Sequence, residues 1–183
     1  MNILLENLMD AVNAGNLPTV NEILQEIDDQ IPDTTLGSLV ETATSRGFSD
    51  VVDTLLLKAK TPNDIKLIQK AIEAAVDANQ FGVLEKLVGS LKPDAQTGEM
   101  AQKWQSVVAA YRGEETTITF IDTVKTTSDD KQLPIWLLKA AAYGKHEALF
   151  TQLWQKRDET LDVKGVLAAA AASGCVSIVF SFR

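Results

Sequence analysis

Val40-Glu41-Thr42-Ala43-Thr44-Ser45-Arg46-Gly47-Phe48-Ser49-Asp50-Val51-Val52-Asp53-Thr54-Leu55-Leu56 is the stretch that decides the fold. Val40 and Ala43 lie three apart before Gly47, and Val51, Val52, Leu55 and Leu56 lie three or four apart after it. Such spacings lay one apolar stripe along a helix on each side of the glycine. A glycine between two stripes ends the first helix, because its backbone turns left-handed without a Cβ clash. The second helix then folds back antiparallel, so the stretch predicts a helical hairpin.

The arrangement recurs along the chain. An alanine stands four residues before a glycine at Ala11 and Gly15, Ala109 and Gly113, Ala140 and Gly144, and Ala170 and Gly174; Ala75 and Asn79 form the remaining copy. Asn best replaces Gly where the backbone turns left-handed. The turn positions 15, 47, 79, 113, 144 and 174 are spaced by 32, 32, 34, 31 and 30 residues, a period typical of stacked repeats. Apolar residues accompany each turn: Leu8, Val20, Ile23 and Leu24; Ile72, Val83, Leu84, Leu87 and Val88; Leu137, Leu149 and Leu153; Leu167, Val179 and Phe182. The fourth copy is the weakest, with Ser106 in an apolar place and Ile118 and Ile121 later. The expected repeats are 3–31, 32–61, 62–93, 94–128, 129–160 and 161–183, forming a single domain over 1–183. A small alanine admits the neighbouring hairpin, and no hairpin buries its apolar face alone.

Leu, Ala, Gly, Val-Val and Leu-Leu at these offsets resemble the ankyrin repeat over nearly the whole chain. The Thr-Pro-Leu-His start of that repeat is absent from every copy, as are the Gly-Ala and later Asn that shape its β-hairpin finger. The expectation is an all-α α-solenoid of six ankyrin-like helix-turn-helix repeats, its β-hairpin fingers mostly lost. Loops such as 61–64, 91–94 and 127–130 replace them, with Asn63, Asp94 and Ser128 or Asp129 capping the helices that follow. One of these helices is expected from about Asp64 to Ala78.

Composition limits the function classes. A net charge of -8 with 17 Lys plus Arg leaves little basic surface for phosphates, which argues against a nucleic-acid partner. Cys175 is the one cysteine, so no intramolecular disulfide or cysteine metal cluster can form, and a reducing cytoplasmic setting fits best. Met1 to Val12 lacks the basic n-region of a signal peptide. Eighteen uncharged residues separate Lys164 from Arg183, near the length that spans a bilayer, but their alanines, serines and Gly174 favour a repeat over a membrane span.

Candidate sites follow the same logic. His146, the one histidine, has no nucleophile or carboxylate beside it in a catalytic pattern and reads as a solvent-facing turn residue; Cys175 reads as a buried, inert thiol. No phosphate-binding glycine loop occurs, and no catalytic residue, metal ligand or cofactor is assigned. The aromatics are more informative: Trp104 and Trp136 precede their turn glycines by nine and eight residues, Tyr111 and Tyr143 by two and one. Two readings fit them. Either the tryptophans pack the first turn of the inner helices and the tyrosines cover the seam between repeats, or, with Arg112, these aromatics line a binding patch that Arg46 and Asp77 extend in the second and third repeats. The resemblance places the tyrosine positions on a concave, ligand-facing groove. At the other extreme, Val176, Phe180 and Phe182 crowd the last helix with no charge before Arg183, which points to self-association, as a homodimer, or to a missing neighbour.

The resemblance implies a protein-protein interaction module that binds a protein partner through its concave groove and is not itself an enzyme. Its expected location is cytoplasmic, in the host-cell cytosol if the chain is an effector delivered by an intracellular bacterium. The alternative is the non-catalytic repeat arm of a larger enzyme or enzyme complex.

Overall fold

The computed structural model describes residues 3–27, 31–58, 65–91, 98–117, 119, 132–158 and 161–180. Among these residues there are eleven helices and no strand. They are α1 (Ile3–Ala14), α2 (Leu17–Glu26), α3 (Asp33–Ser45), α4 (Ser49–Leu56), α5 (Ile65–Asp77), α6 (Phe81–Ser90), α7 (Gly98–Arg112), α8 (Leu133–Tyr143), α9 (Glu147–Gln155), α10 (Lys164–Ser173) and α11 (Val176–Phe180). The expected capping residues Asn63, Asp94, Ser128 and Asp129 lie outside the described residues, as do Ile118, Ile121 and Phe182. The chain divides into two compact units, Met1–Leu91 and Lys92–Arg183, close to the expected boundary between the third and fourth repeats.

The first unit holds three hairpins, α1–α2, α3–α4 and α5–α6. Their first helices pack in chain order, α1 on α3 and α3 on α5, while α2 packs on α4. Helix α5 shows why these segments are helical: Leu67, Ile68, Ala71, Ile72, Ala75 and Val76 are all buried, a pair of rows at helical period. Fully burying each larger aliphatic side chain contributes about 1.5–3 kcal/mol. Polar clasps supplement this packing. Lys58 Nζ donates to the Leu24 carbonyl at 2.9 Å, near the end of α2. Lys86 of α6 meets Asp53 of α4 at 2.5 Å and Asp50 at 3.4 Å, and the hydrogen bond to Asp53 holds its ammonium above the usual lysine range.

In the second unit α7 packs on α8 and α8 on α10, while the second helices α9 and α11 meet each other. Helix α8 is nearly all apolar and correspondingly hidden, with Leu133 and every residue from Trp136 to Ala142 buried, Lys139 included. The apolar stretch 165–182 is broken by Gly174 at φ +71, between α10 and α11. No helix among the described residues is long and apolar enough to cross a membrane.

One turn occurs six times among the described residues. The left-handed residues are Gly15, Gly47, Asn79, Gly113, Lys145 and Gly174, with φ between 59° and 80°. In each case the left-handed residue's N–H donates to the carbonyl three before it, and the next N–H donates to the alanine carbonyl four before it; Gly15 with Val12, and Asn16 with Ala11, are the first such set. These paired bonds satisfy carbonyls that the helix end leaves open. The recurrent alanine is therefore the last-turn residue whose carbonyl closes the motif.

In the fifth hairpin the turn is one residue later than the sequence pattern suggests. Gly144 is right-handed at φ -71, and Lys145 takes the left-handed conformation, with His146 N–H bonded to the Ala141 carbonyl at 3.0 Å. Gly144 has a different role: a Cβ there would run into the carbonyl oxygen of Tyr111. Counted from Lys145, the spacings become 32, 32, 34, 32 and 29 residues. Leu149, Phe150, Leu153 and Trp154 then match Val51, Val52, Leu55 and Leu56 position for position.

Candidate functional site

The corrected register sorts the candidate residues. Trp104 and Trp136 both stand nine before their left-handed residue, and Tyr111 and Tyr143 both stand two before it. Asp77 shares the tyrosine position, whereas Arg46 aligns with Arg112, one before the turn. Nine and two differ by seven residues, about two helical turns, so each helix carries its Trp and Tyr along one edge.

The tryptophans belong to the interior of the second unit. Trp104 has no exposed surface and Trp136 is buried, their ring centroids 4.7 Å apart. Lys103 Nζ lies 5.0 Å from the Trp104 ring and 4.6 Å from the Trp136 ring, a cation–π arrangement. A side chain with no exposed surface cannot meet a partner directly, so of the two readings of Trp104 the packing one holds. In the first unit the same position carries Glu6, Ser38 and Lys70, all exposed.

The tyrosines are half-buried, with centroids 6.5 Å apart and planes at 39°, and Arg112 beside them is exposed. Arg112 reaches Glu114 at 3.7 Å, a loose surface pair. His146 corrects the solvent-facing expectation: it is half-buried, and Nε2 bonds the Tyr111 carbonyl at 2.9 Å. Because a carbonyl only accepts, Nε2 carries the proton. The imidazole also lies against Gly113, where a Cβ would strike Nδ1. Gln80 is the corresponding residue in the third hairpin, and its Nε2 donates to the Ser45 carbonyl at 3.5 Å. His146 is thus the strongest example of a clasp from one turn to the preceding one. No signal short of the corrected register distinguishes it from a surface histidine.

Arg46 and Asp77 are both exposed, at the ends of α3 and α5. Arg46 borders an open cleft of about 460 Å³ in the first unit with Asn13, Glu41, Thr42 and Ser45. A second cleft, of about 500 Å³, runs along α7 past Gln102, Gln105, Ala109 and Thr117. Ser106 and the repeat alanine Ala109 line it too; Gln102 and Gln105, polar on the same side, carry no periodic signal in the sequence.

Cys175 is buried as expected, its Sγ 3.8 Å from Glu147 Oε1 and 3.5 Å from Ser177 Oγ. Ser177 donates to the same Glu147 carboxylate. Val176 and Phe180 are exposed, at 62% and 54%. Among the described residues no three His, Cys, Asp or Glu side chains gather as a metal site. Compared with protein-family models and with curated proteins, the sequence matches none.

Proposed function

We propose that this chain is a cytoplasmic protein-binding module, a degenerate ankyrin-like α-solenoid of six hairpins that engages a protein partner through the edge of its first helices. The reading rests chiefly on the Tyr111–Tyr143 pair. Two tyrosines at one register position, half-exposed and flanked by Arg112, are the residue types that dominate interface hot spots. Each offers apolar area with a hydrogen-bonding tip. The recurrence of one turn, and the packing of successive first helices within each unit, support the repeat reading. Within the first unit, Arg46 and Asp77 are exposed at the corresponding ends of α3 and α5. The acidic chain favours a partner that presents basic or amphipathic surface.

The test is affinity capture with the full chain beside a Tyr111→Ala, Arg112→Ala, Tyr143→Ala triple variant whose helicity and melting are checked first. Proteins retained by the wild type and lost by the folded variant are then titrated individually. Equal retention and equal affinity for both would remove the tyrosine edge as the binding surface.

A further inference from the structure

We propose that the cleft between α1 and α3, with the first-helix face around it, is a docking site in the first unit for an extended basic segment of a partner protein. Lysine or arginine side chains of that segment lie over the carboxylates of Asp10, Glu41 and Glu73. The site rests on the protein-binding reading and specifies the chemistry of the segment bound. Its place follows from the register. Positions nine, six, five and two before the left-handed residue fall within about 100° of one another around a helix, so they share one face. The packing of α1 on α3 and of α3 on α5 sets three such faces beside one another. In these three helices every one of those positions is exposed or half-buried, whereas in α7 and α8 all but the two tyrosines are buried.

Charge and hydrogen-bonding capacity select the occupant. Residues 1–91 hold 14 of the 25 Asp and Glu but six of the 17 Lys and Arg, so the whole net charge of -8 lies in the first unit. The open face carries Glu6, Asp10, Glu41, Glu73 and Asp77 against Lys70, with Arg46 at its rim. On the second helices Asp50 and Asp53 already meet Lys86, but among the described residues the carboxylates of Glu6, Asp10 and Glu41 have neither a hydrogen bond nor an ion pair. The cleft, of about 460 Å³, is lined mainly by acceptors. Ser38 Oγ donates to the Thr34 carbonyl at 3.2 Å and Thr42 Oγ1 to the Ser38 carbonyl at 2.8 Å, so each hydroxyl turns its single proton into its own helix and leaves lone pairs to the cleft. Glu41 adds its carboxylate and Asn13 an amide oxygen. Guanidinium and ammonium groups, which only donate, complement such a lining. Neighbouring helix axes lie about 8–10 Å apart and an extended chain advances about 3.3–3.6 Å per residue. A segment crossing the three helices therefore sets a basic side chain over each one when every third residue is Lys or Arg.

The experiment is fluorescence anisotropy of a labelled peptide of repeated Arg-Ser-Gly units titrated with the full chain at low and raised salt, beside the same peptide with glutamate for arginine. Two variants are compared: Asp10→Asn, Glu41→Gln in the site, and Glu22→Gln, Glu26→Gln on α2, which changes the net charge equally. All four residues are exposed, so both variants keep the fold, which circular dichroism checks. The wild type is expected to bind the arginine peptide and not the glutamate peptide, more weakly as salt rises. The site variant should bind about tenfold more weakly, and the α2 variant within about twofold of the wild type. No binding by the wild type at low salt overturns the proposal. Equal loss in both variants overturns it too, by reducing the effect to net charge. The Tyr111→Ala, Arg112→Ala, Tyr143→Ala variant should hold the peptide as the wild type does, because the site lies within the first unit, and loss of the peptide there would overturn that placement. Failure of the tyrosine edge and failure of this site thus appear in different variants.

Discussion

His146 Nε2–H donates to the main-chain carbonyl of Tyr111 at 2.9 Å, tying the turn of the fifth hairpin to the last turn of α7. The bond ties the tyrosine edge to its neighbour, because the same helix end carries the Tyr111 ring that meets Tyr143.

The expected effect of His146→Ala is a loss of about 1–2 kcal/mol, from the missing bond and the carbonyl left without it. His146→Gln should recover most of that, since Gln80 makes the corresponding bond to Ser45. Urea denaturation of the three proteins checks this; equal stability of the alanine and glutamine variants would contradict the clasp.

Residues 144 and 145 should respond in opposite directions. Lys145 holds φ +64, where a side chain costs about 1–2 kcal/mol, so Lys145→Gly should stabilise by about 1 kcal/mol after glycine's own entropy. Gly144→Ala sets a Cβ against the Tyr111 carbonyl and should destabilise by about 1–3 kcal/mol. Denaturation midpoints of the two single variants decide the register: the reverse order would restore Gly144 as the left-handed residue.

Thr44 is fully buried three before Gly47, where the first and third hairpins carry Val12 and Val76, and its hydroxyl has no hydrogen-bond partner. Thr44→Val keeps the shape and removes the unmet hydroxyl, with an expected gain of about 1 kcal/mol. A thermal melt that shifts down instead would show that the hydroxyl is satisfied.

Trp104→Ala should cost about 3–5 kcal/mol by opening a cavity against Trp136, whereas Tyr143→Ala, at a half-buried site, should cost clearly less. Guanidinium denaturation measures both. A mild Trp104 variant that nonetheless lost partner binding would return this residue to the interface.

Much of the architecture is legible in the spacing of apolar residues, because helix geometry turns a period of three and four into a buried face. Hence the helix expected at about 64–78 is found at Ile65–Asp77, and six turns stand within a residue of their expected places. Sequence alone could not place the fifth turn, since Gly144 and Lys145 compete for it. The contact between Gly144 and the Tyr111 carbonyl comes from 33 residues upstream, so local pattern carries no trace of it.

The candidate site divides the same way. Composition and position drew attention to Trp104, Tyr111, Arg112, Trp136 and Tyr143, but burial is a property of what packs above a residue. Only the tertiary structure separates the hidden tryptophans from the half-exposed tyrosines, and only it turns His146 from a surface residue into a clasp. Local periodicity determines which segments become helices; the meeting of distant helices decides which of their side chains remain available to a partner.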